Sequence, residues 1–141
     1  MYSRILAAVD GSDHSLHALT RAGLLAHLNG AILTIVHVTP NHPVPEELKS
    51  YARTEHTTEP PADLWSAVAQ AILARACEHV RSTVAKPPEM ETDRRNGDIG
   101  DALLEAAHDL DGDLIVVGNR GLSRMTGLVL GSVSQKLAAA E

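Results

Sequence analysis

The stretch Ile5-Leu6-Ala7-Ala8-Val9-Asp10-Gly11-Ser12 decides the fold. An aliphatic run ends in the turn cluster Asp10-Gly11-Ser12, and the Ser12 side-chain oxygen suits a helix N-cap. Leu16, Leu19, Gly23, Leu24, Ala26 and Leu28 follow at helical spacing. Asn29-Gly30 closes that helix, because both residues tolerate the left-handed conformation at its end. Ala31 to Val38 is a second aliphatic run, β-branched at Ile32, Thr34, Ile35, Val36 and Val38. The first forty residues therefore read strand, helix, strand.

Outward from that unit the pattern repeats with one interruption. Residues 39–61 hold Pro40, Pro43, Pro45, Pro60 and Pro61 among charged residues, and read as a long variable connection with one helical turn near Glu46–Ala52. Helical spacing returns from Ala62 to about Val84, and Pro87-Pro88 ends it. Glu89 to Arg95 alternates as a half-exposed edge strand does, with Arg94-Arg95 on its solvated side. Gly97-Asp98 turns into a third helix over Ile99–Leu110, Asp111-Gly112-Asp113 is a turn, and Leu114 to Val117 is a fourth strand. Gly118 to Leu130 reads as a loop, and Gly131 or Ser132 opens a last helix to about Ala140. Strands alternating with helices predict an α/β fold, an open parallel sheet with helices on both faces; a flavodoxin- or Rossmann-like sheet of this kind takes the order 3-2-1-4. The 141 residues suffice for one domain spanning 1–141.

Composition narrows the function. Hydrophobic residues make up 44% of the chain, yet the aromatics are Trp65, Tyr2 and Tyr51 only, so the core is aliphatic, as a doubly covered parallel sheet requires. The net charge of −6 leaves no basic face for nucleic acid, and the few aromatics leave little for single strands to stack on. Any phosphate must then be held by backbone N–H groups and one or two cations. Cys77 is the single cysteine, which excludes an intrachain disulfide and reads as an inert thiol in a helix. Met1 to Leu6 lacks the apolar segment of a secretory signal, and no apolar run reaches the ~18 residues that span a bilayer. No membrane role and a cytoplasmic location are expected.

In an open parallel sheet, ligands bind beyond the carboxyl ends of the strands where the strand order reverses. The order 3-2-1-4 puts that reversal between the first and fourth strands, so Val9-Asp10-Gly11-Ser12 and Gly118-Asn119-Arg120-Gly121 face one crevice. Nine residues after Gly121, Gly131-Ser132-Val133-Ser134 opens a helix whose free N–H groups and dipole attract an anion. There is no Gly-Lys-Ser/Thr of a Walker loop and no Gly-x-Gly-x-x-Gly fingerprint. Spacing alone leaves open that these glycines serve only turns and a helix cap. Arg124 is a further phosphate partner or a solvent-facing residue. His14 and His17, with Asp10 and Asp13, could suggest a metal, but an exposed amphipathic helix explains them, and His37 reads as a satisfied core histidine. No carboxylate pair, Cys–His arrangement or nucleophile elbow is readable.

The whole chain resembles a universal stress protein, of the subgroup whose members bind ATP. The likeness rests on Ile5 to Ser12, on Leu33-Thr34-Ile35-Val36-His37-Val38, on Gly97-Asp98, and on Asp113 to Gly121. The family's nucleotide motif is Gly, two residues, Gly, nine residues, Gly, then Ser or Thr, and Gly118, Gly121, Gly131 and Ser132 meet it. The resemblance implies Asp10 near the ribose or a bound metal, with Ala8 beside it where many relatives have Pro. It implies Val38 and Val117 as walls for adenine, Gly118, Arg120 and Gly121 along the ribose and phosphates, and Gly131, Ser132, Val133 and Ser134 clasping the phosphate chain. The implied function is an ATP-dependent stress or signalling switch, with Mg accompanying ATP and at most slow hydrolysis. AMP or cyclic AMP as ligand, or an interaction module with no nucleotide, are the alternatives. Relatives continue into a fifth strand that commonly pairs two subunits. The sequence stops at Lys136-Leu137-Ala138-Ala139-Ala140-Glu141, so a homodimer is implied without the residues of that strand.

Overall fold

The computed structural model describes residues 2–40 and 64–118. Readings of the Pro-rich connection, of the glycine loop beyond Gly118, of the last helix and of a fifth strand fall outside the described residues. Within them the chain runs β1 (Arg4–Ala8), α1 (Asp13–Asn29), β2 (Ile32–Thr39), α2 (Leu64–Thr83), β3 (Met90–Asn96), α3 (Ile99–Asp109) and β4 (Leu114–Val116). The four strands form one parallel sheet in the order β3-β2-β1-β4. This is the sequence-predicted order, with strand boundaries shifted by about one residue, the margin within which element ends are defined.

Alternation along the strands sorts their side chains to two faces. Ile5, Ala7, Leu33 and Ile35 pack with Leu19, Ala22 and Ala26 of α1 and Val68, Ile72 and Val80 of α2. Leu6, Val36 and Val38 pack with Ala102, Leu103 and Ala106 of α3. β1 and β2 are thus covered on both sides, which explains why they read as unbroken aliphatic runs. Small residues let the helices close without aromatic filler. A Cβ placed on Gly23 of α1 would lie 3.1 Å from Val84 Cγ2 and 3.4 Å from Val80 Cγ1. Cys77 lies half-buried against this core, and burial raises its thiol pKa, with Arg81 opposing, so the group stays protonated.

The edge strand β3 differs from the expectation for Arg94-Arg95. Arg94 is exposed, but the Arg95 side chain is only 17% exposed. Its guanidinium pairs with Asp93 at 2.7 Å and with Asp109 of α3 at 2.6 Å, tying the edge to the helix above it. Arg4 of β1 reaches across β2 to Thr34 at 3.0 Å and to Glu91 of β3. These pairings neutralise charges that an edge strand otherwise leaves to water.

The start of the chain is fastened to the start of β4 by Asp113. One oxygen of its carboxylate accepts the N–H groups of Ser3 at 2.6 Å and Arg4 at 3.0 Å. The backbone bond from Ser3, then that from Arg4, lowers the Asp113 pKa. A carboxyl with a lowered folded-state value contributes its full stability above the ordinary carboxylate range and loses it as the pH falls through the folded-state value. Solvent screening at this partly exposed site limits the contribution to about 1 kcal/mol. Urea denaturation of Asp113→Ala is expected to show that loss at pH 7, with the gap between variant and wild type closing towards pH 3.

Candidate functional site

β1 ends where its neighbours β2 and β4 belong to opposite halves of the sheet, and a cleft opens there. It is a shallow, partly open cleft, with about 360 Å³ of non-atom space when the adjoining solvent is included. Ala8, Val38 and Val117 come from the strand ends, Ile99 and Leu103 from successive turns of α3, and Val9, Asp10, Ser15 and Gly118 complete the lining. One side is an aliphatic slot. The other is polar, made by Asp10 and the beginning of α1.

That polar side is ordered by short-range hydrogen bonds. Gly11 takes a φ of 89°, which lets the chain turn sharply out of β1. Asp10 Oδ1 accepts the Ser12 N–H at 2.9 Å, Ser12 Oγ accepts the Ser15 N–H at 3.2 Å, and Ser15 Oγ donates to the Ser12 carbonyl at 2.8 Å. Ser12 is therefore the N-cap that its sequence position predicted. Holding one Asp10 oxygen fixes the carboxylate's direction at the cleft. Asp10 is the single ionisable side chain among the described lining residues.

Gly118 has a steric requirement rather than a conformational one. A Cβ there would lie 2.8 Å from the His14 carbonyl oxygen, 2.9 Å from its carbon and 3.1 Å from the Ser15 nitrogen. The chain leaving β4 rests directly on the first turn of α1, and backbone atoms cannot move aside as a flexible side chain could. This contact brings β4's exit against the helix that Ser12 caps.

His37 lies on the opposite sheet face from the slot, 2% exposed, with its ring 6.4 Å from that of Trp65. Its Nδ1 is 2.9 Å from the Val9 carbonyl oxygen. A carbonyl only accepts, so Nδ1 carries the proton. Nε2 is buried with no partner among the described residues, as is Thr39 Oγ1. The expected satisfied core histidine is therefore satisfied at one nitrogen. Burial lowers the His37 pKa, with the Val9 bond and Asp10 raising it and Arg94 lowering it further.

Of the residues singled out from sequence, Ala8, Asp10, Val38, Val117 and Gly118 line this one cleft. Arg120, Gly121, Gly131, Ser132, Val133 and Ser134 lie outside the described residues. Sequence reading missed Ile99, Leu103 and Ser15. Ile99 and Leu103 belong to the third helix that the sequence predicts, and only the position of α3 over the strand ends shows that they roof a cleft. His14 and His17 join no cluster of metal-binding side chains among the described residues.

The model of the universal stress protein family matches residues 1–140. The chain belongs to that family. A universal stress protein of Thermus aquaticus, from the QAH/OAS sulfhydrylase 3′ region, is 36% identical over 142 residues, covering 99% of this chain and 93% of that protein. The universal stress protein YxiE of Bacillus subtilis is 34% identical over 149 residues, covering 98% and 93%. Among solved structures, a universal stress protein in complex with cAMP matches with a TM-score of 0.61 at 31% identity, over 98% of this chain and 89% of that one. No helix among the described residues is long and apolar enough to cross a membrane.

Two measurements check the site's construction in this universal stress protein. Gly118→Ala forces backbone apart and is expected to cost roughly 1–3 kcal/mol in urea denaturation. His37 is a base with a lowered folded-state pKa, so the unfolded chain binds the extra proton. Stability is then full above about pH 6.5 and falls as the pH drops below it, at most by about 1.4 kcal/mol per pH unit. His37→Asn is expected to flatten that slope between pH 6.5 and 5.

Proposed function

We propose that this universal stress protein holds an adenine nucleotide, ATP first, in the cleft between the ends of β1 and β4, and acts as a nucleotide-dependent stress or signalling switch. The observation that carries this reading is convergence. Ala8 with Asp10, Val38, and Val117 with Gly118 come from three separate stretches of sequence and line one cleft. The slot between Val38, Val117, Ile99 and Leu103 suits the flat apolar faces of a purine, which buries area there without needing an aromatic partner. Asp10, already aimed by Ser12, accepts ribose hydroxyls. Gly118, Arg120 and Gly121 follow the ribose and phosphates, and Gly131, Ser132, Val133 and Ser134 receive the phosphate chain, with Mg accompanying ATP. Asp10 is the one acid in the described lining, which supports binding with slow hydrolysis at most. In this reading the protein works in the cytoplasm, and a homodimer rests on the family resemblance alone.

A second reading, AMP or cyclic AMP as the ligand, is favoured by the 31% identical relative solved with cAMP. The cleft's apolar slot serves the base and does not choose among phosphate groups, so competition must.

Calorimetry with ATP and magnesium is expected to give saturable heat, and displacement by AMP or cyclic AMP ranks the ligands. Ala8→Leu fills the slot from β1 and is expected to weaken binding at least about a hundredfold, near 2.7 kcal/mol, while the protein stays folded. No heat at millimolar nucleotide with folded wild type would sink the reading.

A further inference from the structure

Parallel pairing between β1 and β2 continues one residue past the strand, where the Val9 N–H donates to the Val36 carbonyl at 2.9 Å. The next group along, the Val9 carbonyl, receives a side chain: His37 Nδ1 at 2.9 Å. On the other side of the same peptide, the Asp10 N–H lies 3.4 Å from Ser15 Oγ. A peptide unit is planar, so fixing its C=O and its N–H fixes the plane and the direction in which the next residue leaves it. The next residue is Asp10.

We infer that His37, together with Ser15, is a positioning residue for the nucleotide site: it locks the Val9–Asp10 peptide from the far face of the sheet, and so sets the angle at which the Asp10 carboxylate meets the ligand. This rests on the adenine-nucleotide reading above. His37 itself lines no part of the cleft. It acts through a carbonyl whose residue does. The geometry also dictates a tautomer. With the proton on Nδ1, the neutral ring leaves Nε2 as a bare acceptor, buried and without a described partner. An aliphatic side chain would bury a similar volume and remove Nε2, but it would leave the Val9 carbonyl without its donor.

Two substitutions separate the donor from the volume. In His37→Leu the volume is kept and the donor is lost. In His37→Asn the side-chain amide nitrogen takes the place of Nδ1, so the donor is kept while the missing ring atoms leave a void. Whichever variant melts higher, His37→Leu is expected to bind ATP about tenfold more weakly than wild type, while His37→Asn stays within about threefold. Equal weakening in both variants, or weaker binding by His37→Asn than by His37→Leu, overturns the positioning role. Two readouts need no nucleotide. Nitrogen-15 spectra of the neutral imidazole are expected to show the Nδ1–H tautomer, and an Nε2–H tautomer overturns the lock. The amide signals of Asp10 and Ser12 are expected to broaden or shift in His37→Leu and to stay near their wild-type positions in His37→Asn; unchanged signals in His37→Leu overturn it as well. If wild type binds no adenine nucleotide, the proposed ligand falls, and with it the link from His37 to that ligand. The spectra still decide whether the lock exists.

Discussion

Strand β1 has a partner strand on each edge and helices on each face, and every functional feature is measured from its carboxyl end. Ile5, Leu6 and Ala7 are at most 1% exposed, and each fully buried Leu or Ile is worth roughly 1.5–3 kcal/mol. That burial holds β1 firmly in the middle of the sheet. Its last peptide is consequently a rigid platform, from which Gly11 turns the chain into α1 and Asp10 faces the cleft. A binding site built there inherits its precision from the core rather than from loops.

The two faces of the sheet divide the work. On the α3 face, aliphatic side chains are left uncovered at the strand ends and form a slot. On the α1 and α2 face, the same strand ends carry His37 and Thr39, polar and buried. The structure thus uses a polar residue behind the sheet to orient a carboxylate in front of it, with a backbone carbonyl as the connection. Gly118 closes the arrangement, since only a residue without a Cβ lets the exit of β4 rest on the first turn of α1.

Much of this was legible in the sequence, for physical reasons. The doubly buried strands announced themselves as aliphatic runs, Ser12 and Asp98 are oxygen-bearing residues before helical spacing, and both cap their helices through side-chain bonds. The alternation of elements implied a parallel sheet, and a flavodoxin-like order then put Asp10 and Gly118 at its reversal. What stayed hidden depends on long-range packing. No periodicity says that Ile99 and Leu103 roof a cleft as well as fill a core. His37 reads as one more apolar-strand position until its Nδ1 is seen on the Val9 carbonyl. Arg95 sits in a run of charges that looks solvated, and only the approach of α3 supplies the carboxylate of Asp109 that holds it.

The central claim is that adenine binds in the slot at the end of β1. Methyl and amide NMR spectra recorded through a titration with ATP and magnesium test it most directly. Saturable shifts are expected at Ala8, Asp10, Val38, Ile99, Leu103, Val117 and Gly118, with the outer ends of α2 and β3 unmoved. Saturable shifts centred elsewhere, or none at millimolar nucleotide, would contradict it.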